Sequence, residues 1–294
     1  MMDKEIYKIK NLKIKRAFSL LEISILMALI ALLMTFIVKG IDVLKDARVS
    51  KAQILTKNAP MNHMDDLIIW YETTLADSFN KEELVDGGNI SIWYNRAPNY
   101  YRINNATQSV VNNQPIYSQN IFNKIIPSLS FDGNDFMNFD GNNLINSDYT
   151  LFFVEQRVAG SSMAFIGGAS SNANSNLIPG YRDSDTITLA QYGNDMNFDL
   201  ASYSSPISRI HTFQMSDRGG KIYWLNGGDN PESQDVAQTA HLVDYQAPRI
   251  GNQQNNWNYI GNMAEIIIFN RAIDDGERQE IEKYLSQKYG INLD

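Results

Sequence analysis

Residues 261–291 read GNMAEIIIFNRAIDDGERQEIEKYLSQKYGI. The run AEIIIF (264–269) has the length and β-branched density of a buried strand. Asp274-Asp275-Gly276-Glu277 then fits a helix start, an Asp cap with a reciprocal Glu three residues on. Ile281, Tyr284, Leu285 and Tyr289 fall on one helical face, and Gly290 supplies the stop. A strand followed by a helix apolar on one face implies a sheet for that helix to pack on.

The chain upstream supplies that sheet. From Asp65 onward, Asn, Gly, Ser and Asp punctuate short runs rich in Ile, Phe, Tyr, Trp, Thr and Val. Candidate strands are LIIWY (67–71), ISIWY (90–94), SLSF (128–131), DFMNF (135–139), YTLFFVE (149–155) and MAFIG (163–167). TITLAQY (186–192), RIHTFQM (209–215) and KIYWLN (221–226) follow, before AEIIIF. Asp132-Gly133, Asp140-Gly141 and Asn226-Gly227 are turn signals between them. At least ten strands without long intervening helices argue for an antiparallel β-sandwich, a jelly roll. GGASSNANSN (167–176) reads as a flexible loop by composition.

These residues also carry a resemblance. The closing segment 261–291 is similar to the end of bacterial concanavalin A-like, laminin G-type lectin/glucanase domains, where a Gly-x-hydrophobic-Ala-Glu strand runs into Asn-Arg-Ala and a YLxxKYG tail. DDLIIWYETT (65–74), ISIWYNRAPN (90–99), SLSFDGNDFMNF (128–139) and KIYWLNGG (221–228) resemble earlier strands of that family. The resemblance covers residues 65–294 and implies a two-sheet jelly roll. It implies no particular ligand, because such domains bind glycans, proteins or calcium, or act as spacers.

The other end is different. RAFSLLEISILMALIALLMTFIVKG (16–40) holds 22 residues, Ala17 to Val38, whose one charge is Glu22. Phe18 to Val38, as a helix rising about 1.5 Å per residue, matches the ~30 Å hydrocarbon core of a bilayer. The run is too long for a secretory h-region, and no small-residue cleavage site follows it. A membrane-spanning helix is the expectation. Residues 39–58 keep helical spacing at Ile41, Leu44, Arg48, Ala52 and Leu55, so one helix of about 40 residues should end before Pro60. Its second half is either a solvated stalk or a stripe docked on the head and on neighbouring helices.

Charge is unevenly spread. Residues 1–17 hold six Lys/Arg against two acids, a net +4, which leaves −12 of the chain's −8 total for the rest. A cationic start before an apolar run reads as targeting sequence. Six Lys/Arg before the run against five after it give a weak bias to a cytoplasmic N-terminus.

A lone carboxylate in hydrocarbon is costly. Were the chain cut between Ala17 and Phe18, a new ammonium would lie four peptide bonds before Glu22. On a staggered neighbouring copy it would neutralise the carboxylate and set the register of an assembly. Lys15-Arg16-Ala17-Phe18-Ser19-Leu20-Leu21-Glu22 resembles the prepilin processing site of type IV pilins and type II secretion pseudopilins. That resemblance implies cleavage after Ala17 by prepilin peptidase, N-methylation of Phe18, and Glu22 as the glutamate at the fifth mature position. It also implies a cytoplasmic leader and an external head. Ala17 departs from the family's usual glycine, and the 17-residue leader is longer than many.

The organisation expected is a leader (1–17), a transmembrane/pilin helix (18–58), a linker (59–64) and a concanavalin A-like sandwich (65–294), mainly β with a C-terminal helix. The pI near 5.0 argues against a duplex nucleic-acid partner. The absence of cysteine excludes disulfides, thiolate metal sites and Cys nucleophiles.

For the head, glycan binding needs an exposed aromatic beside amides and carboxylates. WYNRAPNYY (93–101) and GNQQNNWNYIGN (251–262) qualify, with Trp257 and Tyr259 as stacking surfaces and Asn256 beside them. Calcium, the ion many relatives hold, has candidate oxygens in Asp132, Asn134, Asp135 and Asp140, or in Asp183 and Asp185. Those residues also suit hairpin turns. No Glu-x-Asp-x-x-Glu strand is present, Glu265 is alone in its strand, and His63, His211 and His241 lack metal spacing. A non-enzymatic head is therefore expected. The leading expectation is a minor pilin or pseudopilin subunit of a type IV pilus or type II secretion-like assembly, single-pass in a bacterial inner membrane. Its partners would be prepilin peptidase, other pilin subunits, and a glycan or host surface protein. The alternative is a membrane-tethered glycan-binding or glycan-hydrolysing module that does not polymerise.

Overall fold

A computed structural model describes residues 18–199, 206–254 and 256–294. Helix α1 spans Leu20–Lys57. The chain divides into two compact units, Met1–Ala47 and Arg48–Asp294.

In the first unit α1 starts on a capping box. The Ser19 Oγ accepts the Glu22 N–H (3.1 Å), and the Ser19 N–H donates to Glu22 Oε2 (2.8 Å). Glu22 therefore has a local role at the third helical position. The apolar side chains from Leu20 to Val38 are exposed, Leu20 at 88% and Leu33 at 60%. This helix is long and apolar enough to cross a membrane.

The second unit is the antiparallel sandwich the turn-punctuated sequence implies. Among the described residues its larger sheet has nine strands. From one edge the order is Ser233–Asp235, Gly220–Leu225, Ser208–Ser216, Tyr149–Arg157, Ile260–Phe269, Ile126–Asp132, Ile116–Phe122 and Gly88–Asn89, and Leu67–Glu72 pairs with Ile260–Phe269. Opposite it lie a five-stranded and a four-stranded sheet. The four-stranded sheet runs Met196–Asp199, Thr186–Ala190, Ile178–Tyr181, Met163–Ala164.

Alternation along Tyr149–Arg157 explains the layering. Leu151 and Phe153 face the inner core with Phe165, Phe213 and Ile266. Phe152 and Val154 face the other way, toward Ile281, Leu285 and Tyr289 of helix α2, Asp275–Tyr289. The α2 start is the expected capping box of Asp274 and Glu277, further braced by Arg271, whose two terminal nitrogens lie 2.6 Å from the Glu277 oxygens. Gly290 ends it at φ 67, the left-handed conformation glycine adopts without strain. The last turns of α1 join this second layer: Ala52 and Thr56 are buried, Gln53 Nε2 donates to Thr74 O (3.0 Å), and the Thr56 and Thr74 hydroxyls are 3.1 Å apart.

One strand is unanticipated and one expectation changes. Strand Ile116–Phe122 was not legible from its polar residues. The segment 167–176 is an ordered loop, because the fully buried Asn176 amide accepts the Gly168 N–H (2.7 Å) and donates to Gly168 O (3.1 Å) and Ser170 O (2.8 Å).

Candidate functional site

The outer face of the four-stranded sheet carries the best aromatic shelf. Tyr181, Ile187, Leu189 and Phe198 point into the sandwich. Alternation therefore sends Arg182, Thr188 and Asn197 outward. Arg182 Nη2 donates to Asp195 Oδ2 (2.6 Å), and its Nε donates to Asn197 Oδ1 (2.7 Å). Thr188 Oγ1 donates to the same amide oxygen (2.8 Å). The hairpin Asn252–Gln253/Trp257–Asn258 lays its indole beside this group. Trp257 is half-buried against Ala164, Ile178 and Ala190, and the Arg182 guanidinium carbon lies 5.7 Å from its ring centroid. Asn256 is exposed at φ 77, a left-handed position that Asn tolerates better than most residues. An apolar ring edged by a fixed guanidinium and an exposed amide can stack on a sugar ring while bonding its hydroxyls.

Tyr259 is not part of that shelf, which corrects its expected stacking role. It is fully buried, and its hydroxyl donates to Glu155 Oε2 (2.5 Å). Glu155 also accepts from Tyr181 (2.7 Å) and lies 3.0 Å from His211 Nε2, with the Tyr223 hydroxyl 2.9 Å from His211 Nδ1. Burial alone would raise the Glu155 carboxyl, but the His211, Tyr259 and Tyr181 donors hold it below the usual range. Burial lowers His211, outweighing the pull of Glu155. The consistent assignment is an ionised carboxylate and a neutral imidazole with its proton on Nε2. All of these groups lie inside the sandwich core.

The calcium candidates hold turns. Asp132 Oδ1 accepts the Asn134 N–H (2.7 Å), and Asp135 Oδ2 accepts the Asp132 N–H (2.9 Å). Asp140 accepts the Asn142 N–H (2.9 Å), and Asp183 accepts those of Asp185 (2.9 Å) and Thr186 (2.8 Å). No cluster of three or more His, Asp or Glu side chains forms a metal set among the described residues. Ala17 lies outside the described residues. Phe18 is 79% exposed, and Glu22 lies one turn inside the helix. Glu265 has partners: Lys288 Nζ at 2.8 Å, Trp70 Nε1 at 2.6 Å, and the Tyr284 and Tyr289 hydroxyls at 2.8 Å each. Arg182, Asp195 and Asn197 were missed from sequence. In sequence the YRDSD turn offers only its carboxylates, because the arginine's partners lie 13 and 15 residues on, across a strand pair.

No family model matches the sequence, and no curated protein matches it. Solved structures do. A Trypanosoma rangeli sialidase in complex with 2,3-difluorosialic acid matches with a TM-score of 0.51 and 13% identity, over 77% of this chain and 34% of its own. Domain 4 of a GH43 extracellular arabinanase from Geobacillus stearothermophilus, in complex with arabinotriose, matches with a TM-score of 0.51 and 12% identity, over 74% of this chain and 98% of its own. A GH54 α-L-arabinofuranosidase matches with a TM-score of 0.56 and 10% identity, over 76% and 63%. The chain spans about a third of the length of the sialidases it matches. At these identities the likeness is one of fold. It nonetheless corrects the expectation of a non-enzymatic head: the sandwiches this one resembles are named as glycoside hydrolases or as domains of one, so the fold does not set catalysis aside.

Proposed function

We propose that this chain is a membrane-tethered carbohydrate-binding protein whose sandwich offers the Trp257 shelf to a saccharide. The observation that carries the reading is the pairing of a half-buried indole with Arg182, itself fixed by Asp195 and Asn197. The likeness to sandwiches of glycan-processing proteins supports it, and so does an N-terminal helix apolar enough to serve as an anchor. The test is a glycan array probed with the full chain in detergent, with and without calcium, beside Trp257→Ala. Binding lost in the variant supports the shelf; binding unchanged removes it. Assaying the same samples for released reducing sugar reports whether binding is coupled to hydrolysis.

A second reading rests on Lys15-Arg16-Ala17-Phe18-Ser19-Leu20-Leu21-Glu22. In it the chain is a pilin-like subunit, trimmed after Ala17 and built into a filament or pseudopilus. The cap uses Glu22 Oε2, which leaves Oε1 for the amine of a neighbouring copy. Mass spectrometry of the mature N-terminus decides it: a methylated Phe18 supports the filament, and an intact Met1 rules it out.

A further inference from the structure

A cleft of about 520 Å³ opens between residues 76–81 and 94–102, lined by none of the residues of the Trp257 shelf. Ala76 and Phe79 give it an apolar side, and Tyr94 walls it, with the Tyr94 hydroxyl donating to Asn80 Oδ1 (2.9 Å). The Arg102 guanidinium carbon lies 4.1 Å from the Tyr94 ring centroid and 5.9 Å from that of Tyr101. The backbone fixes this placement. Arg102 sits at φ 57, with its N–H donating to Asn95 O (2.9 Å) and its carbonyl accepting from Asn105 Nδ2 (3.0 Å). A stacked guanidinium keeps its outer N–H groups in a fixed fork.

The charges in the cleft do not balance. The one carboxylate lining it, Asp77, is paired with Arg96 and accepts the Tyr101 hydroxyl (3.2 Å). Partial burial pushes that carboxyl up, but the Arg96 hydrogen bond and charge hold it below its ordinary value, so it stays ionised and occupied. Lys81 and Arg102 form no ion pair among the described residues; the contact from Arg102 is a long one, Nη2 to Asp77 O at 3.4 Å. An overall acidic chain thus presents two unneutralised cations, one of them pre-oriented, beside an aromatic ring and an apolar surface.

We infer that this cleft is a second ligand site and that it takes an acidic saccharide. The ring-borne oxyanion lies on Arg102 and Lys81, and the C–H face of the sugar lies against the apolar side formed by Ala76 and Phe79. A planar carboxylate or a sulfate matches the guanidinium fork, whereas a neutral sugar leaves both cations unused.

The experiment is calorimetric titration of the full chain in detergent with trigalacturonate, with its carboxyl-reduced counterpart, with a sulfated galactose trisaccharide and with hexaglutamate. Arg102→Ala should weaken the acidic sugar at least tenfold, the loss of one charge-assisted contact. Arg102→Lys should recover part of that loss, Lys81→Ala should weaken binding by a smaller factor, and Trp257→Ala should leave it unchanged. Circular dichroism of each variant checks that the sandwich is intact. Whichever acidic trisaccharide depends on Arg102 identifies carboxylate or sulfate as the oxyanion. Equal binding of the carboxyl-reduced sugar, equal binding of hexaglutamate, loss of binding in Trp257→Ala, or no acidic sugar bound at all would each overturn the site.

Discussion

Lys288 Nζ lies 2.8 Å from Glu265 Oε2, and both side chains are fully buried between the larger sheet and helix α2. The same ammonium is 3.1 Å from Glu72 Oε2, and Glu72 sits directly across the strand pair from Glu265. Glu72 accepts further from Thr74 and Ser78. One cation thus serves two carboxylates, and the remaining lone pairs are taken up by hydroxyl, indole and amide donors.

Removing that cation should be costly. Lys288→Met leaves two buried carboxylates facing each other, so we expect a loss of about 3–5 kcal/mol. Urea unfolding of the full chain in detergent measures it. Adding Glu265→Gln should return part of the loss, because the pair in contact is not additive. A fully additive double variant would show that Lys288 and Glu265 are not coupled.

The pH dependence contains two opposed contributions. Burial raises Glu72, but Lys288, Ser78 and Thr74 outweigh it and hold the group below its ordinary value. Its stabilisation is therefore present at neutral pH and lost as pH falls below the ordinary carboxylate range. Asp135 behaves oppositely: burial, with the Asp132 charge, raises it to about 6. The folded state then holds an extra proton between about pH 4 and 6. The contribution of Asp135 falls as pH rises through that window and stays low above it. Asp135→Asn keeps an oxygen for the Asp132 N–H and removes the charge. It should be more stable than the parent at pH 7.5, by about 1–2 kcal/mol, and no more stable at pH 4. Thermal melts of both proteins across this range check the sign.

The capping box at Ser19 separates two roles of Glu22. Glu22→Gln keeps an acceptor for the Ser19 N–H, whereas Glu22→Ala removes it and should weaken the helix start by about 1 kcal/mol. If the carboxylate acts only as a cap, Glu22→Gln should behave as the parent in a filament-assembly assay. If its charge pairs with a neighbour's amine, both substitutions should abolish assembly while membrane insertion persists.

Asn176 organises its loop from a single side chain. Asn176→Ala would leave the Gly168 N–H and two carbonyls without their partner, a cost of about 3 kcal/mol. Limited proteolysis should then cut within 167–176, where the parent resists.

The elements legible in sequence were those whose causes are local. Asp274 and Glu277 cap α2 three residues apart, Gly290 ends it, and the run after Phe18 needs only its own composition to declare a long apolar helix. Residues whose environment comes from distant partners were misread or missed. Trp257 and Tyr259 stand two apart in one polar stretch, yet the first stays half-exposed and the second enters the core to meet Glu155, 104 residues away. Glu155 looks like the polar end of a strand until His211 arrives from the neighbouring one. Strand Ile116–Phe122 pairs on one side with the two-residue strand Gly88–Asn89, and its exposed polar side chains give no alternation to read.

The way residues 52–56 are held has a mechanical consequence. A pull delivered along α1 at Arg48 meets Ala52, Gln53 and Thr56 before it reaches the turn at Pro60. Tension therefore passes sideways into Thr74 and Tyr284, one two residues past the strand Leu67–Glu72 of the larger sheet and the other on the helix packed across it. The short connection 58–66 is bypassed by the load, which enters the sandwich at the far end of its first strand and at α2 together.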